Sequence, residues 1–326
     1  MSFKILCTLG NDFSAEAKEV LGTIGEVDLK LVSQEDLSIE LKEYDAVVIG
    51  LGLNFNRKIL ESATKLKYIA TATTGLDHID LDYAHQKNIK IVSLKGENDF
   101  LKTITGTAEL AFSLILNLVR KIPWSFDSVK NKEWNRDTFK GISLYGKTIG
   151  IIGYGRLGKM MASYARAFGM RVIFYDPFVN DGLGIAEKVG FTDLLKDSDI
   201  ISIHIHLTPD TENMFDRDTF KIMKKGSFLI NTSRGKIVNE TELLEALKTK
   251  EIGGYGTDVL GNELSFKEKV IATDPLVEYA KENDNLLITP HIGGMTVDSR
   301  ISTDIFIASK LRNCLKSNRG LKCPKI

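Results

Sequence analysis

Three charged residues in the second half of the chain are of the types that move a proton beside a carbonyl group. Arg234 lies in Asn231-Thr232-Ser233-Arg234-Gly235, Glu263 closes Asp258-Val259-Leu260-Gly261-Asn262-Glu263, and His291 lies in Pro290-His291-Ile292-Gly293-Gly294. An imidazolium donates a proton near neutral pH, and imidazole takes one back. A carboxylate beside the ring stabilises its charged form. A guanidinium grips a carboxylate and polarises the carbonyl next to it. Together they make the protein's share of a ketone reduction in which a cofactor supplies the hydride. Taken singly, each has a plainer reading: a structural histidine, a surface arginine, a solvated glutamate.

What would bring them together is a sheet. Each loop follows a short apolar run that reads as a strand: Phe228 to Asn231, Ile252 to Asp258, and Leu286 to Thr289. In a parallel doubly wound sheet the loops at the carboxyl ends of the strands share one edge, where ligands bind. Residues about thirty positions apart then converge there.

The cofactor half is legible upstream, in Lys147 to Asp176. Thr148-Ile149-Gly150-Ile151-Ile152 has the length of a buried strand, and Gly153, Gly155 and Gly158 follow in GxGxxG spacing. Arg156 to Phe168 is rich in helix formers, Gly169 ends that helix, and Arg171 to Tyr175 reads as a second strand closing on Asp176. This is one βαβ unit. Gly153 allows the sharp turn, Gly155 lets a pyrophosphate approach the backbone, and Gly158 lets the helix pack close to the sheet. The helix N-terminus favours phosphate charge. Asp176, 18 residues after Gly158, stands where a carboxylate meets ribose hydroxyls and repels a 2′-phosphate. Pro177 and Phe178 follow it, with no arginine, so the cofactor expected is NAD rather than NADP.

The remainder of the chain supports a two-domain α/β protein. Length is 326 residues, 43% hydrophobic and 26% charged, a globular composition. Basic and acidic residues are equal in number at 43, so no global field invites nucleic acid or an anionic membrane. The N-terminus has no signal-peptide pattern, and the longest apolar stretch, Ala111 to Val119, is too short for a bilayer. Cys7, Cys314 and Cys323 make no metal spacing and read as reduced thiols of a cytoplasmic protein. His204 and His206, at period two on an expected strand, lack a third ligand, so no metal is expected. Residues 1–102 alternate strands and helices of their own. Among them, Ser14 is placed to cap a helix over Ser14 to Leu21, and Thr73 to Asp77 forms a loop after a strand. From Thr107 the character changes to a long apolar helix, a break at Pro123, and an apolar stretch through Trp124, Phe126 and Trp134. Such a segment fits interdomain core or a dimer surface equally.

Taken together, GYGRLG at 153–158, Asp176, NTSRG at 231–235, DVLGNE at 258–263 and TPHIGG at 289–294 resemble the D-isomer-specific 2-hydroxyacid dehydrogenases, over essentially the whole chain. The resemblance implies a Rossmann doubly wound parallel sheet over residues 103–294. It implies a smaller flavodoxin-like α/β substrate domain made of 1–102 and 295–326, with the active site in the cleft. By that likeness His291 is the acid/base, Glu263 supports it, and Arg234 orients the substrate, a small 2-hydroxy or 2-keto acid whose carboxylate meets Thr74 and Gly75. Arg156 and Leu157 would meet the pyrophosphate through their backbone, Asp258 would hold the nicotinamide carboxamide, and Thr107 would lie beside the cofactor. Ile205, Thr232, Ser233, Gly293 and Gly294 complete the implied NAD site. A homodimer joined through the cofactor domains is implied as well.

Departures from the family pattern are His206, where many members carry proline, and the charged loop Leu94 to Leu101. The end at residue 326 suggests that the regulatory domain of long phosphoglycerate dehydrogenases is missing. Two other readings stay open: a non-enzymatic NAD-binding regulatory module of the same fold, and dehydrogenation of phosphite or formate. Glu263 argues against a formate-type site.

Overall fold

The computed structural model describes residues 2–263, 266 and 273–317. Two parallel sheets organise the chain, and its contacts divide it into Met1–Ile104 with Met295–Ile326, and Thr105–Gly294.

The first unit holds β1 (Phe3–Cys7), β2 (Gly25–Leu29), β3 (Ala46–Ile49), β4 (Tyr68–Thr71) and β5 (Lys90–Val92) in the order β2-β1-β3-β4-β5, every neighbour parallel. This is the flavodoxin-like order. β3 and β4, Ala-Val-Val-Ile and Tyr-Ile-Ala-Thr, are buried at every position, as strands covered on both faces must be. The helix Ala15–Gly22 starts where expected, since Ser14 Oγ accepts from Ala17 N at 3.1 Å. On one face of the sheet it packs with the long Val297–Ser317 helix, whose Ile307, Ala308, Leu311 and Leu315 are fully buried. β2 has no counterpart in the sequence reading. Its residues Gly-Glu-Val-Asp-Leu carry charge at alternate positions, and it forms the sheet's edge.

The second unit holds β6 (Thr148–Ile152), β7 (Arg171–Tyr175), β8 (Glu187–Lys188), β9 (Ile200–Ile203), β10 (Phe228–Asn231), β11 (Gly254–Thr257) and β12 (Leu286–Ile288). The order β12-β11-β10-β9-β6-β7-β8, all parallel, is a doubly wound Rossmann sheet. The order reverses beside β6, so the GxGxxG turn sits at the switch point. Helices cover both faces; Ala108, Ala111 and Ile115 of the Gly106–Val119 helix are fully buried, and that helix packs on β10, β11 and β12.

Several expectations need correction. Pro123 does not break a helix. Lys121 takes a left-handed conformation (φ 53°) and Pro123 sits in the first turn of a new helix, Ile122–Lys130, where its missing N–H has no partner to lose. β9 ends at Ile203, so His204 and His206 lie in the following loop and share no strand face. Cys7 is a free, buried thiol, but Cys314 is disulfide-bonded, which contradicts three reduced thiols; Cys323 lies outside the described residues. Among the described residues no helix is long and apolar enough to cross a membrane, and no group of three His, Cys, Asp or Glu is arranged to hold a metal.

Candidate active site

β10, β11 and β12 are neighbours in register, so the three loops that leave their carboxyl ends emerge side by side. The His291 loop is the most tightly specified. His291 Nδ1 stands 2.9 Å from Glu263 Oε1, with both side chains about three-quarters buried. One ring nitrogen is therefore committed, and among the described residues Nε2 has no hydrogen-bond partner. The His291 backbone is left-handed at φ 54°, a conformation that a non-glycine residue keeps only when its surroundings impose it.

Asp258 imposes it. This carboxylate is almost fully buried, and its Oδ1 accepts from Thr289 Oγ1 at 2.5 Å and from Ile292 N at 2.8 Å. Its Oδ2 accepts from Gly293 N at 2.7 Å. The donors lie on both sides of His291, so one side chain clamps the loop. Burial pushes the Asp258 pKa up, and the three donors and His291 pull it back. The expected role of Asp258, holding a carboxamide, must therefore share a carboxylate with about four lone-pair positions, three of them in use.

The Arg234 loop is shaped by Asn231, which is fully buried. Its amide nitrogen donates to the Arg234 carbonyl at 2.9 Å, and its Oδ1 accepts from Ser233 N at 3.0 Å. Ser233 Oγ donates to the Ile203 carbonyl at 2.8 Å, tying this loop to the end of β9. Arg234 Nη1 donates to the Ser233 carbonyl at 2.8 Å, which turns the guanidinium back along its own loop. Thr232 is buried beside it. Asn231 and Asp258 organise the site more than the sequence reading assigned to them, and their signal was their place as the last strand residue and the first loop residue.

The glycine turn has the geometry a dinucleotide needs. Gly153 is left-handed (φ 89°), and a Cβ there would lie 2.4 Å from the His204 carbonyl oxygen and 2.7 Å from Ile205 Cγ2. A Cβ at Gly158 would meet the Gly153 carbonyl oxygen at 2.1 Å, so helix and turn touch backbone to backbone. Gly155 is the opposite case: nothing lies within 4 Å of its missing Cβ, and no side chain caps the Arg156–Ala167 helix that begins after it. Open space over an uncapped helix N-terminus fits a pyrophosphate. Asp176 is 8% exposed and accepts from Tyr154 N at 2.8 Å, Phe178 N at 2.8 Å and Val179 N at 3.1 Å. Those three donors fix a negative charge at the end of β7 and leave it an acceptor for a ribose hydroxyl. Thr107 stands beside the His291 loop, about 3.3 Å from where a Gly293 Cβ would be, while Gly294 faces open space. These residues fit NAD.

Thr74 and Gly75 belong to the first unit, in the loop after β4. Thr73 Oγ1 lies 3.0 Å from Thr71 Oγ1 and donates to the Gly75 carbonyl at 2.8 Å. Among the described residues, the N–H groups of Thr74 and Gly75 have no hydrogen-bond acceptor. His204, which the sequence left without a role, has Nε2 2.8 Å from Ser202 Oγ, and burial pushes its pKa down to about 4.

Residues 112–293 match the family model of the D-isomer specific 2-hydroxyacid dehydrogenase NAD-binding domain. A D-3-phosphoglycerate dehydrogenase of Methanocaldococcus jannaschii is 34% identical over 96% of this chain and 57% of its own length. The chain spans about half the length of the curated D-3-phosphoglycerate dehydrogenases it matches. A glyoxylate reductase of Thermococcus litoralis is 35% identical over 83% of this chain and 81% of its own. A D-lactate dehydrogenase from Aquifex aeolicus, solved with NAD and lactic acid, superposes with a TM-score of 0.84 at 28% identity, covering 97% of this chain and 96% of that one. The chain, with its NAD-binding domain, belongs to the D-isomer-specific 2-hydroxyacid dehydrogenase family.

Proposed function

We propose that this chain is an NAD-dependent oxidoreductase that interconverts a small D-2-hydroxy acid and its 2-keto acid. The observation that carries the reading is the His291–Glu263 pair at 2.9 Å, on a loop that Asp258 clamps into a left-handed turn. When bound, the nicotinamide cofactor would donate a hydride to C2 as NADH or accept one from it as NAD+. His291 Nε2 gives a proton to the substrate oxygen in reduction and removes it in oxidation, while Glu263 on Nδ1 holds the ring's orientation and steadies the imidazolium. Arg234 anchors the substrate carboxylate and polarises the adjacent carbonyl, with the backbone N–H groups of Thr74 and Gly75 as further donors to the carboxylate. Asp176 accepts from the ribose, and the backbone of Arg156 and Leu157 meets the pyrophosphate. Ile205, Thr107, Thr232, Ser233, Gly293 and Gly294 line the dinucleotide, with Asp258 at the carboxamide.

The same reading makes the protein a homodimer. Its support is the exposed apolar segment carried by the Ile122–Lys130 helix and beyond, where Phe126 is 62% and Trp134 88% exposed. A monomer gains nothing by keeping such side chains in water.

The test is NADH oxidation against glyoxylate, hydroxypyruvate, pyruvate, larger branched and aromatic keto acids, and phosphohydroxypyruvate, each repeated with NADPH. Turnover of one of them with NADH supports the reading. No turnover, with NADH binding intact by fluorescence, overturns it in favour of a non-enzymatic NAD-binding module.

A further inference from the structure

The Arg234 and Glu263 loops are pressed together at one place. Gly235, next to Arg234, is buried, and its backbone lies flat against the Leu260–Gly261 peptide. A Cβ at Gly235 would sit 2.1 Å from the Leu260 carbonyl carbon and 2.2 Å from the Gly261 nitrogen, both backbone atoms that cannot step aside. The Gly261 N–H leaves this contact and donates to Glu240 Oε1 at 2.7 Å. Glu240 opens the Glu240–Lys248 helix, just after the Gly235–Ile237 turn that follows Arg234. One side chain from the arginine side thus grips the glutamate side two residues before Glu263.

Glu240 has no simpler duty there. The helix is already capped by Asn239, whose Oδ1 accepts from Glu242 N at 3.2 Å. Among the described residues Glu240 has no ion-pair partner. Burial raises its pKa, the Gly261 N–H lowers it, and the nearby Asp274 and Glu263 raise it again. A half-buried carboxylate beside two others is unfavourable unless a specific contact holds it. Nor is there slack at the far end, since a Gly261 Cβ would lie 3.2 Å from Glu240 Oε2.

We infer that Glu240 is a positioning residue for the acid–base pair: by holding the Gly261 N–H it fixes where Glu263 presents its oxygen to His291. The inference rests on the proposed roles of Glu263 and His291. Two variants separate the hydrogen bond from bulk and charge. Glu240→Gln keeps a carbonyl oxygen for the Gly261 N–H, and Glu240→Ala removes it. With the keto acid that the full-length parent reduces best, Glu240→Ala should lose about 10- to 100-fold in kcat at saturating NADH, the scale set by misplaced catalytic groups. KM for NADH should stay within about twofold, and Glu240→Gln should recover most of the loss. Gly235→Ala, which forces the two loops apart, should lose kcat in the same way.

Hydrogen exchange over residues 258–263, compared between each variant and the parent, gives a readout independent of turnover. Faster exchange in Glu240→Ala and parent-like exchange in Glu240→Gln support the inference even if the parent reduces no keto acid, an outcome that would sink the enzyme reading alone. Parent-like kcat or exchange in Glu240→Ala overturns it. So does Glu240→Gln matching Glu240→Ala, because charge rather than the contact would then be at work.

Discussion

The two units use the same construction and put different chemistry on it. Each is a parallel sheet whose loops gather at the carboxyl edge, yet the edges are furnished differently. In the second unit, buried carboxylates and an amide hold the loops: Asp258 with three donors, Asp176 with three, and Asn231 with two contacts. In the first, a threonine ladder from Thr71 through Thr73 to the Gly75 carbonyl shapes the loop, and the neighbouring N–H groups carry no formal charge. The difference teaches a division of labour. The buried charges Asp258 and Asp176 sit where a dense network fixes them, because a buried charge is tolerable only when hydrogen-bonded. A loop that holds no buried charge can be shaped by hydroxyls and bare backbone.

Mutations should therefore separate by unit. The largest effect is expected for His291→Ala, with kcat down about 100- to 10,000-fold while NADH still binds, read by stopped-flow turnover and fluorescence titration. Near-normal turnover would remove His291 from the mechanism. Next comes Arg234→Lys, which keeps the charge and loses the planar fork. We expect kcat/KM for the keto acid to fall by about 100-fold, and a loss below about fivefold would show that a point charge suffices.

In the first unit the expected change is smaller and of another kind. Thr73→Val removes the hydroxyl that braces the Gly75 carbonyl. Loss of one such hydrogen bond, about 1 kcal/mol, should raise KM for the keto acid about fivefold with kcat little changed. A matching fall in kcat would erase the distinction between the two edges.

The last effect concerns stability rather than turnover. The His204 pKa is about 4 in the folded chain, against an ordinary value near 6.5. Between these values the unfolded chain binds a proton at this ring that the folded chain does not. Stability from this group is thus full above about pH 6.5 and lost as pH falls toward 4. His204→Asn should flatten that part of the Tm-versus-pH curve, and an unchanged slope would assign the acid sensitivity to other groups.

Much of this was legible in one dimension. Alternation of apolar runs with helix formers marked all but two of the strands among the described residues, because a strand buried on both faces is largely apolar. The two it missed, β2 and the two-residue β8, are edge strands with charged side chains, where burial makes no such demand. Arg234, Glu263 and His291 could be picked out because each sits in a loop that follows an apolar strand run, and the glycine spacing because Gly153 and Gly158 stand where a Cβ would strike backbone. Pro123 was misread because proline ends one helix and begins another equally well, and only the left-handed Lys121 decides between them.

What the order of residues determined by itself was the chemistry on offer: a proton carrier, a carboxylate beside it in kind, a guanidinium, and a glycine turn for phosphate. What only the tertiary structure decided was which groups hold those in place. Asp258 and Gly293 are 35 residues apart, and Glu240 and Gly261 are 21 apart. No local pattern links such pairs, since hydrogen bonds at that separation exist only after parallel strands have been laid side by side. The sheet's register, not the spacing along the chain, sets the distances between the candidate site residues.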